Sequence, residues 1–169
     1  TNMLSVMISV VKSFPDYQFV IAGAPSQDPK FYSSFIKNKN VSFVENNTYD
    51  LLSVAHAAVV ASGTATLETA LFKVPEVVCY KTSWVSYEIG KRLVKLKFIS
   101  LVNLILDKKV VTELIQNGFN TKRLTTELNS LLNGEMREQQ LIAYHELETK
   151  LGGHGASFKV AELIHNSLK

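Results

Sequence analysis

The sequence predicts an α/β domain: one parallel sheet with helices on both faces. Two observations predict it. Short apolar runs at 17–22, 41–44, 57–61 and 76–80 alternate with stretches of helical periodicity. The stretch 57–68 then reads as a buried strand, a small-residue turn and the start of a helix, the unit from which such sheets are made. The 169 residues suffice for a single core, with 46% hydrophobic and 20% charged residues.

In order, Met3, Val6, Met7, Val10, Val11 and Phe14 recur at helical spacing until Pro15. Residues 17–22 are the first strand, with a loop at 23–26. A short helix at 31–37, a strand at 41–44 and a helix from Thr48 to His56 follow. The third strand, 57–61, enters the central turn, and Thr64 to Phe72 is helical until Pro75. Residues 76–80 are the fourth strand, and 83–95 an amphipathic helix. Residues 98–101 form a short extended piece, and Asn103 begins a loop. Helices are expected at 111–116, 121–132, 135–151 and 156–168, with Gly152-Gly153 dividing the last two.

In parallel sheets, ligands bind beyond the carboxyl ends of the strands, so the loops there are candidate sites. The central one is Ser62-Gly63-Thr64-Ala65-Thr66. A helix that begins there offers unpaired N–H groups and partial positive charge, which suits an anion such as phosphate. The same residues also describe an ordinary capped helix, with Ser62 or Thr64 as the cap and Gly63 easing the turn. Glu68 lies four residues after Thr64 and six after Ser62, so it does not fit the capping-box spacing of three. One use for it is to accept hydrogen bonds from sugar hydroxyls.

The net charge of +3 is too small to argue for nucleic acid. The single Cys79 precludes an internal disulfide and sits in an apolar run, so it reads as core. No run approaches the ~20 apolar residues of a membrane span. No signal peptide is evident, and the missing initiator Met suggests a piece of a larger protein. His56, His145, His154 and His165 lack metal-ligand spacing, and neither a dinucleotide fingerprint nor a P-loop is present. The turn around Gly153-His154-Gly155 reads equally as a site loop or a helix end. The helix with Trp84, Lys91, Arg92, Lys95 and Lys97 is either a core-facing helix with a solvated basic face or a patch for anionic lipid. Asn103 either closes a turn or bonds a ligand oxygen.

Ala61-Ser62-Gly63-Thr64-Ala65-Thr66-Leu67-Glu68 resembles the central motif of lipid-A-disaccharide synthase. Lys91-Arg92-Leu93-Val94-Lys95, Phe98-Ile99-Ser100-Leu101-Val102-Asn103-Leu104 and Val110-Val111-Thr112-Glu113-Leu114-Ile115-Gln116 follow in that family's order, as does Gly152-Gly153-x-Gly155-Ala156. The resemblance implies the carboxyl-terminal, UDP-sugar-binding half of a GT-B glycosyltransferase with two Rossmann-like halves. That family transfers a diacylglucosamine from UDP to diacylglucosamine 1-phosphate, inverting and without a metal or other cofactor. It implies UDP contacts from Ser62, Gly63, Thr64, Ala65 and Thr66, ribose contacts from Glu68, and an active-site role for Asn103. Tyr80, Lys81, Ser100 and Lys108 are secondary candidates. The general base is expected in the amino-terminal half. Partners implied are the UDP-sugar donor, a lipid-linked sugar phosphate acceptor and an anionic membrane surface. The location implied is cytoplasmic, peripheral on the inner membrane of a Gram-negative-type bacterium. Rival readings are another GT-B UDP-sugar enzyme, such as an epimerase or lipid-linked transferase, and a non-catalytic nucleotide-binding or assembly module.

The sequence departs from the family at Val102 for proline, Asp107 for glycine, Lys108 for arginine and Lys109 for an acid. It also begins after the strand that carries the family's Gly-Ser-Arg turn. The whole of 1–169 is expected to be one domain, its last helices (135–169) packing on the amino-terminal half. Without the central first strand, the strands at 17–22 and 57–61 must pair directly or another chain must fill the gap. Self-association or a rearranged sheet is therefore expected.

Overall fold

The computed structural model describes residues 3–24, 27–36, 38–84, 87–88, 97–152 and 155–168. Its first part runs α1 (Met3–Ser9), β1 (Phe19–Ala22), α2 (Pro29–Ser33), β2 (Val41–Val44), α3 (Thr48–Val54) and β3 (Ala58–Ala61). Then come α4 (Thr64–Leu71), β4 (Glu76–Tyr80), α5 (Leu101–Leu106), β5 (Thr112–Ile115), α6 (Thr121–Asn133), α7 (Met136–Leu151) and α8 (Ala156–Ser167). All strand pairings are parallel, as the alternation of elements required.

Among the described residues the strands form two sheets rather than one: β1 pairs β2, and β3-β4-β5 form the second. The expected alternative of direct pairing between the strands at 17–22 and 57–61 is therefore incorrect. The register is Phe19 to Val41 in the first sheet, and Ala58 to Glu76 and Val77 to Thr112 in the second.

Helices cover both faces of the larger sheet because β4 is apolar on both sides. Val77 and Cys79 face one core with Leu114, Leu124, Leu128, Leu131, Val10 and Phe14. Val78 faces the other with Ala70, Val102, Leu106, Val111, Ala143, Tyr144 and Leu147. Cys79 is buried as expected, and burial pushes its thiol up to about 12, so it is not a nucleophile at neutral pH. Ile21, Val41, Val11 and Tyr32 make the core of the smaller sheet.

Two expectations need correction. The stretch expected as a helix at 111–116 is β5. Four residues are too few for periodicity to decide, and their burial alternates as in a strand. Conversely, the piece expected as extended, then loop, is helix α5, capped by Ser100, whose Oγ accepts from the Asn103 N–H. It ends at Asp107, which adopts a left-handed φ of 50°. Gly152 ends α7 in the same way, at φ 81°. The expected helix at 83–95 falls largely outside the described residues.

Candidate functional site

The candidate site lies beyond the carboxyl ends of β3, β4 and β5. Strand β3 ends at Ala61, and α4 starts at Thr64 with Gly63 as its N-cap residue. Neither Ser62 nor Thr64 is the cap, and no side chain takes that role. The Ser62 hydroxyl donates instead to the Ile99 carbonyl at 3.3 Å and ties the turn to the segment before α5. The Thr66 hydroxyl and N–H both donate to the Gly63 carbonyl, at 2.8 and 3.2 Å. The N–H groups of Thr64 and Ala65 then have no helical carbonyl behind them. A Cβ placed on Gly63 would meet nothing within 4 Å, so the helix end opens onto free space.

Ser62, Gly63, Thr64, Ala65 and Thr66 thus form one cradle. Thr64 and Ala65 are exposed, while Thr66 is buried. Glu68 lies one turn further along α4, half-buried, where it borders a cavity between β1 and β3.

Of the two readings of Asn103, the structure shows the one in which its side chain closes a turn. Ser100 and Asn103 are both fully buried. The Asn103 side-chain oxygen accepts from the N–H groups of Val110 (2.7 Å) and Val111 (2.9 Å). Its amide nitrogen donates to the Val111 carbonyl and to Glu113, both at 2.9 Å. Every polar atom of this side chain is used to hold the loop between α5 and β5. Asn103 is therefore a structural residue in this conformation. Lys108 is not brought to the cradle: it follows the far end of α5 and pairs with Glu146 of α7.

Sequence reasoning missed Glu113. Its carboxylate accepts from the N–H groups of Ile99 (3.0 Å) and Ser100 (2.9 Å) and from Asn103. Through Ile99 it fixes the carbonyl that holds Ser62. The available signal was an acid inside an apolar, strand-like run. Next to Tyr80, a cleft of about 300 Å³ is formed by Lys81, a secondary candidate of the sequence, with Thr82, Trp84, Tyr87, Glu88, Gln116 and Asn117. Gln116 braces it by exchanging hydrogen bonds with the Thr82 backbone at 2.9 and 3.2 Å. Tyr80 ends β4 just before this cleft. The cleft combines exposed aromatic surface from Trp84 with amide and ammonium groups, a set able to hold a polar ring.

Among the described residues, no group of three or more His, Cys, Asp or Glu is placed to hold a metal ion. No helix among them is long and apolar enough to cross a membrane.

A family model described as lipid-A-disaccharide synthetase matches residues 2–165. The chain is 35% identical over 166 residues to the lipid-A-disaccharide synthase of Anaeromyxobacter sp. (strain K), covering 96% of this chain and 43% of that protein. It is 34% identical over 177 residues to that of Syntrophus aciditrophicus (strain SB), covering 100% and 46%. For that of Coxiella burnetii (strain CbuG_Q212) the identity is 33% over 170 residues, covering 98% and 45%. The chain spans less than half the length of the curated relatives it matches.

Proposed function

We propose, since the chain belongs to the lipid-A-disaccharide synthetase family, that it is the UDP-sugar-binding part of a glycosyltransferase. The whole protein would join a diacylglucosamine from its UDP derivative to diacylglucosamine 1-phosphate, with inversion, and release UDP. The observation that carries this reading is the open amino end of α4 at the carboxyl end of β3, anchored through Ser62 to Ile99. The N–H groups of Thr64 and Ala65, with the Thr64 hydroxyl and the helix dipole, suit the diphosphate. Negative charge builds there as UDP departs, and donors already in place stabilise it without rearrangement. Glu68, one turn behind, suits the ribose hydroxyls. Activation of the acceptor hydroxyl falls to a base in the rest of the polypeptide.

Of the last helices, 135–169, α7 packs on this chain's own core through Ala143, Tyr144 and Leu147, and α8 packs on that remaining part. In support, Phe158, Leu163 and Leu168 of the last helical stretch are 73%, 70% and 81% exposed, an apolar surface without cover among the described residues. The basic stretch with Lys91, Arg92 and Lys95 suits a peripheral position on the anionic inner face of a bacterial inner membrane.

Thermal unfolding with UDP, with ADP and with buffer alone tests the nucleotide reading. A ligand at a hundred times its Kd stabilises the folded state by about 2.7 kcal/mol. A larger rise with UDP than with ADP, reduced by Glu68→Ala with the unliganded midpoint unchanged, is expected. No rise with UDP, even in a longer chain that includes the preceding polypeptide, removes the reading.

A further inference from the structure

Strand β5 pairs with β4 as far as Ile115, which lies opposite Tyr80. At the next residue, Gln116, the backbone leaves the sheet. Its φ is 48°, and its carbonyl accepts from the Phe119 N–H at 3.1 Å in a short 3₁₀ turn. A residue with a Cβ is strained in this left-handed region, which glycine enters freely. The side chain carries on what the backbone abandons. Its Oε1 accepts from the Thr82 N–H at 2.9 Å, and its Nε2 donates to the Thr82 carbonyl at 3.2 Å. One side-chain amide thus makes the pair of bonds that a further residue of the ladder would make. These bonds tie the loop after β4 to the end of β5 and help to hold the strained turn in place.

Thr82 sits between two residues that face the cleft, Lys81 and Trp84. The cradle is one strand away. The Ser62 N–H donates to the Cys79 carbonyl at 2.9 Å. Lys81 follows Cys79 by two residues, ~7 Å further along at the usual strand rise. The flexible four-carbon stem of a lysine covers such a distance. The same stem gives the ammonium a choice of anions, since the Glu88 carboxylate lines the cleft too. The place of the loop decides whether the ammonium stands beside that acid or beside an anion at the cradle.

We propose that Gln116 is a positioning residue for the diphosphate. Through Thr82 it holds Lys81 where the ammonium meets the negative charge of a nucleoside diphosphate seated on Ser62–Thr66. This deepens the nucleotide reading and rests on it. Gln116 itself touches no ligand. A cation already in place attracts the diphosphate without the cost of ordering its loop on binding.

Calorimetric titration with UDP tests this on the protein at the full length its gene encodes. The variants are Lys81→Met, Gln116→Gly, Gln116→Met and Lys81→Met combined with Gln116→Gly. Glycine takes the φ of 48° without strain, so Gln116→Gly removes the two bonds and relieves the turn. Gln116→Met keeps the length and removes the amide. Urea midpoints confirm that each variant is folded. Lys81→Met is expected to weaken UDP binding about tenfold, as loss of a charged contact does. Both Gln116 variants are expected to weaken it by about threefold to tenfold, and the combined variant no more than Lys81→Met alone, since the amide acts only through the ammonium. Exchange of the Thr82 amide should quicken in both Gln116 variants. Four results overturn the proposal. Lys81→Met binds UDP as the parent does. Both Gln116 variants bind it as the parent does. The effects of Lys81→Met and Gln116→Gly add in full. The Thr82 amide exchanges at the parent's rate. Each leaves the nucleotide reading standing, whereas a parent that binds no UDP removes that reading and this proposal together.

Discussion

Replacing Glu76 with glutamine isolates a cost built into the core. Glu76 opens β4 and is fully buried, yet neither carboxylate oxygen has a hydrogen-bond partner among the described residues. Its backbone is satisfied: the N–H donates to Gln140 at 2.8 Å, and the Gln140 amide donates to its carbonyl at 3.1 Å. Burial pushes the carboxyl well above its ordinary value. A group whose pKa is raised on folding adds stability that is complete below its unfolded pKa, about 4.3 for glutamate. That stability is lost as pH rises towards the folded value. While the acid keeps its proton in the folded state, each pH unit above the unfolded value costs about 1.4 kcal/mol.

Glutamine cannot titrate, so Glu76→Gln removes this slope. Its buried amide adds a fixed offset of about 1–3 kcal/mol that does not depend on pH. Urea unfolding of both proteins at pH 5, 6 and 7 measures the difference. The variant should gain on the parent as pH rises, by at most about 1.4 kcal/mol per unit. Parallel curves over that range would show that Glu76 is ionised and solvated in the folded protein, and would refute the argument.

Other consequences can be measured in the same way. Asp107→Gly should stabilise by about 0.5–1 kcal/mol, because glycine takes the left-handed φ of 50° without a Cβ. The Lys97–Asp107 pair lost with it is exposed and contributes little; an unchanged urea midpoint would contradict this. Asn103→Ala strands the Val110 and Val111 N–H groups and should cost about 2–4 kcal/mol with little change in UDP affinity beyond that due to unfolding. Loss of UDP binding at full stability would assign Asn103 to the ligand instead. Glu113→Ala should weaken UDP binding through loosening of Ile99 and Ser100, seen as faster exchange of those two amides. Leu124→Ala, at a fully buried position, should cost about 2–5 kcal/mol by denaturant titration.

The strand-turn-helix at 57–68 was legible because everything that defines it is local. Apolar residues make the strand, small residues permit the turn, and helix formers follow. The contrast with 98–116 shows where that legibility stops. There the sequence offers Ile99-Ser100-Leu101-Val102-Asn103-Leu104 and Val110-Val111-Thr112-Glu113-Leu114-Ile115, two runs of nearly equal hydrophobicity. One is a helix and the other a strand. Local propensity does not separate them, since Val and Ile occur in both. What separates them is long-range: β4 offers an edge that takes β5, and Glu113 in that strand captures the N–H groups of Ile99 and Ser100 at the start of α5. The roles of Asn103 and Glu113 are properties of that pairing, so neither could be read from spacing.

The same distinction explains the gap between the sheets. The sequence supplies two edges, β1 and β3, whose flanking residues are apolar enough for the interior of a sheet. Direct pairing would join Val20 and Ala22 to Val59 and Ala61, but it would also draw α1 and α3 into the space that separates the strands. Their side chains Leu4, Met7, Ile8 and Leu51 already wall that space, and close-packed side chains do not compress by the width of a strand. Collapse of the sheets would sacrifice the packing of α1 on α6 for a few ladder bonds, each worth about 1 kcal/mol net. Packing therefore holds the edges apart while the helices stay in place.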